Sequence, residues 1–350
     1  MVTMHPSISS CRLRVPIFLT SNPKRRAVSV MPITTSSSSL SAPLPSFSAS
    51  ELAPYLEQVK RCNRGKEELA SFVPFVVDNV TVGYIHPSFV QHLIPFSKVF
   101  DVIRGKTDDS EKERNMYVTL NEELKSHEDR TESVNRCLKL LSDGGIIPGW
   151  RDEMYPVVNS FGGAQFFSLE RAAVPYFGTK AYGVHINGFT VDSQGKKYLW
   201  AARRSITKQT FPGMLDHVVA GGQPVGLSCR ENVIKECDEE AGIPREIAER
   251  ALPVSAVSYE DVDSFRLKRD VLFCYDLELP MDFKPYNQDG EVESFTLLPI
   301  AEVEKILKGS EAYKPNCTLV VIDFLIRHGY ITPDQRGYIH LFSSLRQGDC

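Results

Sequence analysis

The chain has 350 residues, 42% of them hydrophobic and 24% charged, with a formal net charge of −4. At this length about two domains are expected, of ordinary globular composition. No run approaches the ~20 apolar residues that span a bilayer, and the longest near the C-terminus, 319–326, is broken by Asp323. Composition therefore speaks against a membrane-spanning, fibrous or wholly disordered protein.

Residues 1–50 stand apart. They hold Arg12, Arg14, Lys24, Arg25 and Arg26, no acid, and thirteen serines, including the run Ser36 to Ser39. This is the composition of an organelle transit peptide, and its serine content points to the plastid before the mitochondrion. The remaining chain is more acidic than the average, which disfavours nucleic acid as a partner, because a grip on phosphate backbone needs a basic surface. The eight cysteines form no C-x-x-C pair and no zinc-type spacing; they read as reduced thiols.

Residues 51–174 read as an N-terminal α+β domain. Leu52, Tyr55, Leu56 and Val59 recur at helical spacing. The stretch 72–85 is extended, and 88–99 forms a helix with Phe89, Leu93 and Phe96 inward. A charge-dense loop follows at 108–114, then a helix at 133–141 that stops before Gly144 and Gly145. Residues 175–330 form a second domain. Strands at 182–190 and 197–203 are joined by a turn at Asp192 to Gly195. After Gly221 and Gly222 comes a strong helix signal, then strands at 254–262, 267–278 and 291–298, and helices at 301–307 and 317–327. Strands mixed with helices imply an α/β/α or α+β layer fold. Residues 331–350 read as a C-terminal tail.

The helix after the glycine pair carries the chemistry. Ser228 and Glu231 have capping-box spacing, and Gly242 followed by Pro244 marks the end, so the helix spans 229–241. On its wheel Glu236, Glu239 and Glu240 share one face, directly beside the apolar stripe of Val233, Ile234, Cys237 and Ala241. Like charges at i,i+4 repel, and they crowd the helix end where the macrodipole disfavours anions. A divalent cation would compensate this cost, and carboxylate oxygens favour Mg²⁺ or Mn²⁺; the alternative is a solvated acidic face.

Residues 221–243 resemble the Nudix box, G-x5-E-x7-R-E-U-x-E-E-x-G-U, with U a bulky apolar residue. Gly221, Glu236, Glu239, Glu240, Gly242 and Ile243 match, while Leu227 replaces the first Glu and Lys235 replaces the Arg. With the carboxylate gone there is less need for a bidentate guanidinium, and Lys235 can pair with Glu239 at i+4. The stretches 149–153, 213–216, 275–280 and 289–295 are similar to one plant and fungal Nudix subfamily, which includes plastid plant hydrolases and the Nudix portion of some fungal thiamin pyrophosphokinase chains.

The resemblance implies a Nudix-type α/β/α sandwich with a mixed sheet behind a smaller α+β domain. It implies a metal-dependent diphosphate hydrolase that acts on a small molecule, releasing the terminal phosphate of thiamin diphosphate or its oxidised analogues by water attack on phosphorus. A hydrolase of ADP-ribose or NADH is the alternative, and a non-catalytic binding module the second. Glu236 and Glu240 are the leading metal ligands, and Glu239 is a third ligand or the base. Glu291 is the expected acid from outside the box, ahead of Glu260 and Asp261. Arg203 and Arg204 are expected to hold phosphate. The Gly221–Gly222 pair is either a phosphate-approaching backbone or a tight turn into the helix. His217, Trp150, Trp200 and Cys237 read as structural.

Overall fold

The structure is a computed structural model that describes residues 51–104 and 116–348. The expected transit peptide at 1–50 and the loop at 108–114 lie outside the described residues. In chain order the elements are α1 (Ala53–Lys60), β1 (Val73–Val77), β2 (Val80–Ile85), α2 (Pro87–Leu93), β3 (Phe100–Arg104), β4 (Met116–Leu120), α3 (His127–Asp143), β5 (Met154–Val158), β6 (Gln165–Glu170) and α4 (Val174–Phe177). They continue as β7 (Lys180–Val191), β8 (Lys197–Arg204), β9 (Leu215–His217), β10 (Val219–Gly222), α5 (Cys229–Ala241), α6 (Arg245–Ala248), β11 (Leu252–Asp263), β12 (Arg266–Glu278), β13 (Val292–Pro299), α7 (Ile300–Gly309), α8 (Pro315–Arg327) and α9 (Tyr338–Ser344).

The first region is built on a four-stranded sheet of order β2-β1-β4-β3, with β1 and β4 parallel. Phe75, Phe89 and Phe100 pack around Phe177 at the end of the region, with ring centroids 5.3, 5.9 and 5.8 Å away. Helix α3 begins earlier than its apolar spacing predicts. The side chain of Ser126 accepts from the Asp129 amide and Asp129 reaches back, closing a capping box in front of a polar first turn. Helix α2 is shorter than expected: it ends at Leu93 and tightens into a 3-10 turn at Ile94–Phe96, where Pro95 cannot donate to the helix ladder.

The second region is a seven-stranded mixed sheet of order β11-β12-β7-β8-β13, with β10 added to β7 and β9 to β8. Only β12 and β7 run parallel among its described pairings. Period-two alternation sends Tyr275 and Leu277 of β12, with Val184 and Ile186 of β7, to the face covered by α5. Leu272, Cys274 and Phe189 go to the other face, against α7 and α8. Central β7 is buried from Lys180 to Thr190 because helices cover both its faces.

Two boundaries differ from the sequence reading. Helix α1, expected in the N-terminal domain, packs into the core of the second region. Leu52, Tyr55, Leu56 and Val59 are buried with residues of α7 and α8, and Gln58 Nε2 donates to the carbonyls of Leu307 and Ser310 at 3.0 Å. The expected tail at 331–350 instead folds back as α9 beside α1. Leu341 and Leu345 are fully buried there, each worth about 1.5–3 kcal/mol of apolar transfer. Two leucines make too short a pattern to mark a core; only the cluster built by α1 and α8 gives them a place to be buried.

Candidate active site

Helix α5 forms as its sequence dictates. Ser228 accepts from the Glu231 amide while Glu231 Oε2 accepts from the Ser228 amide at 2.9 Å, so Glu231 is spent as a cap. Gly242 takes φ 58° at the C-cap, the left-handed conformation that favours glycine. Val233, Cys237 and Ala241 are buried against the sheet. That contact fixes the rotation of the helix and lays its acidic face along the edge of the core.

The three box acids occupy different environments. Glu236 is 9% exposed. Burial pushes its carboxyl up, Lys235 partly offsets this, and Glu239 and Glu153 push it further up. Glu240 accepts from the Ala220 amide at 2.8 Å. Burial first, then repulsion from Glu236, Asp216 and Glu291, raises it well above the ordinary carboxylate range. Glu239 is exposed on the outer side. Lys235 Nζ bridges Glu239 at 2.6 Å and Glu236 at 3.3 Å, so the i+4 pairing foreseen for the substituted lysine is present. In this structure the Lys235 ammonium is the cation that compensates Glu236 and Glu239, while Glu240 stands desolvated behind them.

Gly221 and Gly222 do not form a turn into the helix. Both lie in β10, paired with Val184 and Gly183 of β7. What requires glycine is close approach from two sides. A Cβ on Gly221 would stand 2.2 Å from Cδ of Glu236, and one on Gly222 would stand 1.5 Å from the hydroxyl of Tyr155. Tyr155 comes from β5, so the N-terminal region meets the acidic helix across this strand. The Val225 amide donates to the Met154 carbonyl at 3.0 Å and holds the same seam.

Arg171, one residue beyond β6, was missed by the sequence reading. Its Nη1 pairs with Glu153 Oε2 at 2.6 Å and its guanidinium carbon lies 5.6 Å from the Tyr155 ring. Glu236 biases Arg171 and Arg171 biases Glu291, which places the guanidinium within electrostatic reach of both acids. A cleft of about 190 Å³ opens here, lined by Tyr155, Arg171, Gly221, Gly222, Lys268 and Asp270 among others. Arg171, Lys268, Asp270, Lys314 and Asn316 also line a neighbouring chamber of about 740 Å³ between the two regions. No local motif could have marked Arg171, since its role depends on the docking of β5 and β6.

Several expected site residues are engaged elsewhere. Arg204 donates to Asp216 Oδ2 at 2.7 Å and to the carbonyls of Thr210 and Phe211. It fastens a loop and is not free for phosphate. Arg203 is exposed and donates to the Gly213 carbonyl at 2.8 Å. Glu291 forms an ion pair with Lys208. Burial would raise its carboxyl, but Lys208, Arg204 and Arg171 together hold it below the usual range. Asp261 is paired with Arg64 at 2.7 Å, and Glu260 lies 3.7 Å from Arg269 and 3.8 Å from Lys66; neither joins the box acids.

His217 Nδ1 lies 3.2 Å from His185 Nδ1, with Cys317 close by and all three buried. Lys314 and Arg204 both lie against the adjoining Asp216, whose carboxylate also accepts from the Cys317 thiol at 2.8 Å. Trp150 donates to Asp152 at 2.7 Å, beneath Lys139.

Comparison with known proteins identifies the family. Residues 54–181 match the model of a domain of unknown function (DUF4743), and residues 181–317 match the NUDIX domain. The chain is 54% identical over 304 residues to "Nudix hydrolase 20, chloroplastic" of Arabidopsis thaliana, covering 87% of this chain and 80% of that protein. It is 50% identical over 302 residues to "Nudix hydrolase 24, chloroplastic" of the same plant, covering 86% and 80%. Among solved structures, the NUDIX domain of Shewanella oneidensis NrtR complexed with ADP ribose aligns with a TM-score of 0.34 and 16% identity, covering 43% of this chain and 91% of that one. The chain belongs to the Nudix hydrolases, with a DUF4743 region preceding its NUDIX domain.

Proposed function

We propose that this Nudix hydrolase releases the terminal phosphate of thiamin diphosphate or of its oxidised analogues, in the plastid, with Mg²⁺ or Mn²⁺. Members of the family generally use divalent metal ions. The observation that carries the hydrolase chemistry is the seating of Glu236 and Glu240 against the glycine strand, whose residues Ala220, Gly221 and Gly222 line a cleft that also holds basic groups. Glu236 and Glu240 would hold the cation, with Glu239 as a third ligand or the base and Glu291 as a candidate from outside the box. When bound, the cation supplies charge neutralisation at the phosphates.

The chain's own groups do the rest. Lys268 and Arg171 bring positive charge to the cleft for the diphosphate. As the base, Glu239 would take the water proton as oxygen attacks phosphorus and the anhydride P–O bond breaks, the leaving phosphoryl oxygen departing as the product anion. Asp270 supports a cationic or N–H-bearing ring. Its carboxylate accepts from the buried Tyr259 hydroxyl and lines both the cleft and the chamber. The plastid assignment rests on the serine-rich basic leader and on the printed names of the two Arabidopsis relatives.

One observation favours a second reading. The chamber of about 740 Å³ beyond the cleft has room for more than one heterocycle, which supports ADP-ribose or NADH as substrate. Phosphate or nucleotide release should be measured with Mg²⁺ or Mn²⁺ on thiamin diphosphate, its oxidised analogue, ADP-ribose and NADH. Higher kcat/KM on the thiamin compounds is expected. Preference for the nucleotides would replace the thiamin assignment and keep the site.

A further inference from the structure

We propose that Arg171, supplied by the DUF4743 region, is a phosphate-binding residue of the Nudix centre, held ready for substrate by Glu153 and Tyr155. This assigns to the N-terminal region a part in binding the diphosphate, beyond support of the fold. It rests on the hydrolase reading only for the identity of the substrate, since the anion site stands on its own geometry.

Five observations converge on it. The arginines expected to bind phosphate are unsuited, because Arg204 is tied to Asp216 and two carbonyls and Arg203 lies exposed on a strand end. Arg171 by contrast lines both the cleft beside Gly221 and Gly222 and the adjoining chamber. Its side chain is tethered through one edge only. Nη1 meets Glu153 at 2.6 Å, leaving the rest of a five-donor fork for an anion. Its position is also fixed by backbone: the Arg171 amide donates to the Glu153 carbonyl at 2.8 Å, and the Val225 amide binds the neighbouring Met154. Finally, Tyr155 ends against Gly222, so the hairpin that carries Arg171 has a single depth of docking on the catalytic strand. The Glu153 carboxylate keeps the guanidinium oriented in the free protein and competes with the incoming phosphate.

That competition gives the test a sign that a merely structural residue would not show. Binding of inorganic pyrophosphate to the full chain is measured by calorimetry, alongside KM and kcat on the best diphosphate substrate. Arg171→Gln should weaken pyrophosphate binding and raise KM by about 10- to 100-fold, with the larger share of the loss in KM. Arg171→Lys should recover part of it, since charge returns without the fork. Glu153→Gln should tighten pyrophosphate binding by about 2- to 10-fold, by removing the competing carboxylate. Unchanged pyrophosphate affinity in Arg171→Gln would overturn the proposal, as would equal weakening in the Arg171 and Glu153 variants. If the parent chain binds pyrophosphate through Arg171 yet turns over none of the diphosphates, the hydrolase reading fails and this assignment stands. If turnover is intact and indifferent to Arg171, the reverse holds.

Discussion

Helix α5 and the β5–β6 hairpin reach the same strand, β10, by opposite routes. The helix brings Glu236, Glu239 and Glu240 together by covalent proximity, because residues three and four apart share a face. The hairpin brings Tyr155 and Arg171 by docking, through a ring placed against Gly222 and an amide bond from Val225 to Met154. The first arrangement survives wherever the helix forms. The second exists only when two regions are seated correctly. The surroundings of one strand can thus be written locally on one side and assembled on the other.

The comparison is open to test. The largest effect should come from the local half: Glu240→Gln removes a buried carboxylate and should lower metal-dependent turnover by ~10²–10³-fold, the scale of losing a principal electrostatic stabiliser, while circular dichroism stays unchanged. Activity at the parent level would remove α5 from the site.

Next comes the seam. Gly222→Ala places a methyl group in the volume of the Tyr155 hydroxyl. It should cost about 1–3 kcal/mol, as overpacking does, and raise KM. Adding Tyr155→Ala should relieve the strain, so that the two losses are not additive in a double-mutant cycle; strict additivity would mean that the two groups do not meet.

A control lies on the opposite sheet face. Burial would raise the Asp276 carboxyl, but hydrogen bonds from His328 and Arg327 overcome this and lower it to about 2. A depressed carboxylate contributes stability that is fully present above its unfolded pKa, near 3.8, and is lost as pH falls through the folded value. Asp276→Asn should therefore cost about 2 kcal/mol at neutral pH and flatten the fall in stability between pH 4 and 2, seen in urea titrations, without altering KM. The smallest effect is expected at Arg203: Arg203→Ala should change stability by less than about 0.5 kcal/mol and leave pyrophosphate affinity intact.

Much of the second region was legible in the sequence. The capping box, the closing Gly242 and the apolar stripe define α5 at Cys229–Ala241, and the turn before Lys197 sets β7 against β8. These are short-range signals, carried by side chains that bond their own backbone or repeat at a fixed period. The glycine pair was legible as special, but not its reason: Gly221 and Gly222 make room for Glu236 and Tyr155, neither of which is a sequence neighbour. Arg204 shows the converse. Its position before the box suggested phosphate, yet Asp216 folds over to claim it.

What the sequence by itself determined is the acidic helix, its register and the identity of three carboxylates, because an α-helix converts spacing directly into a face. What the tertiary structure alone decided is what packs against the glycine strand, where α1 and α9 close the core, and how deep the cleft runs. Those contacts join residues far apart in the chain, and their energy comes from apolar area and buried charge that exist only after the two regions have packed.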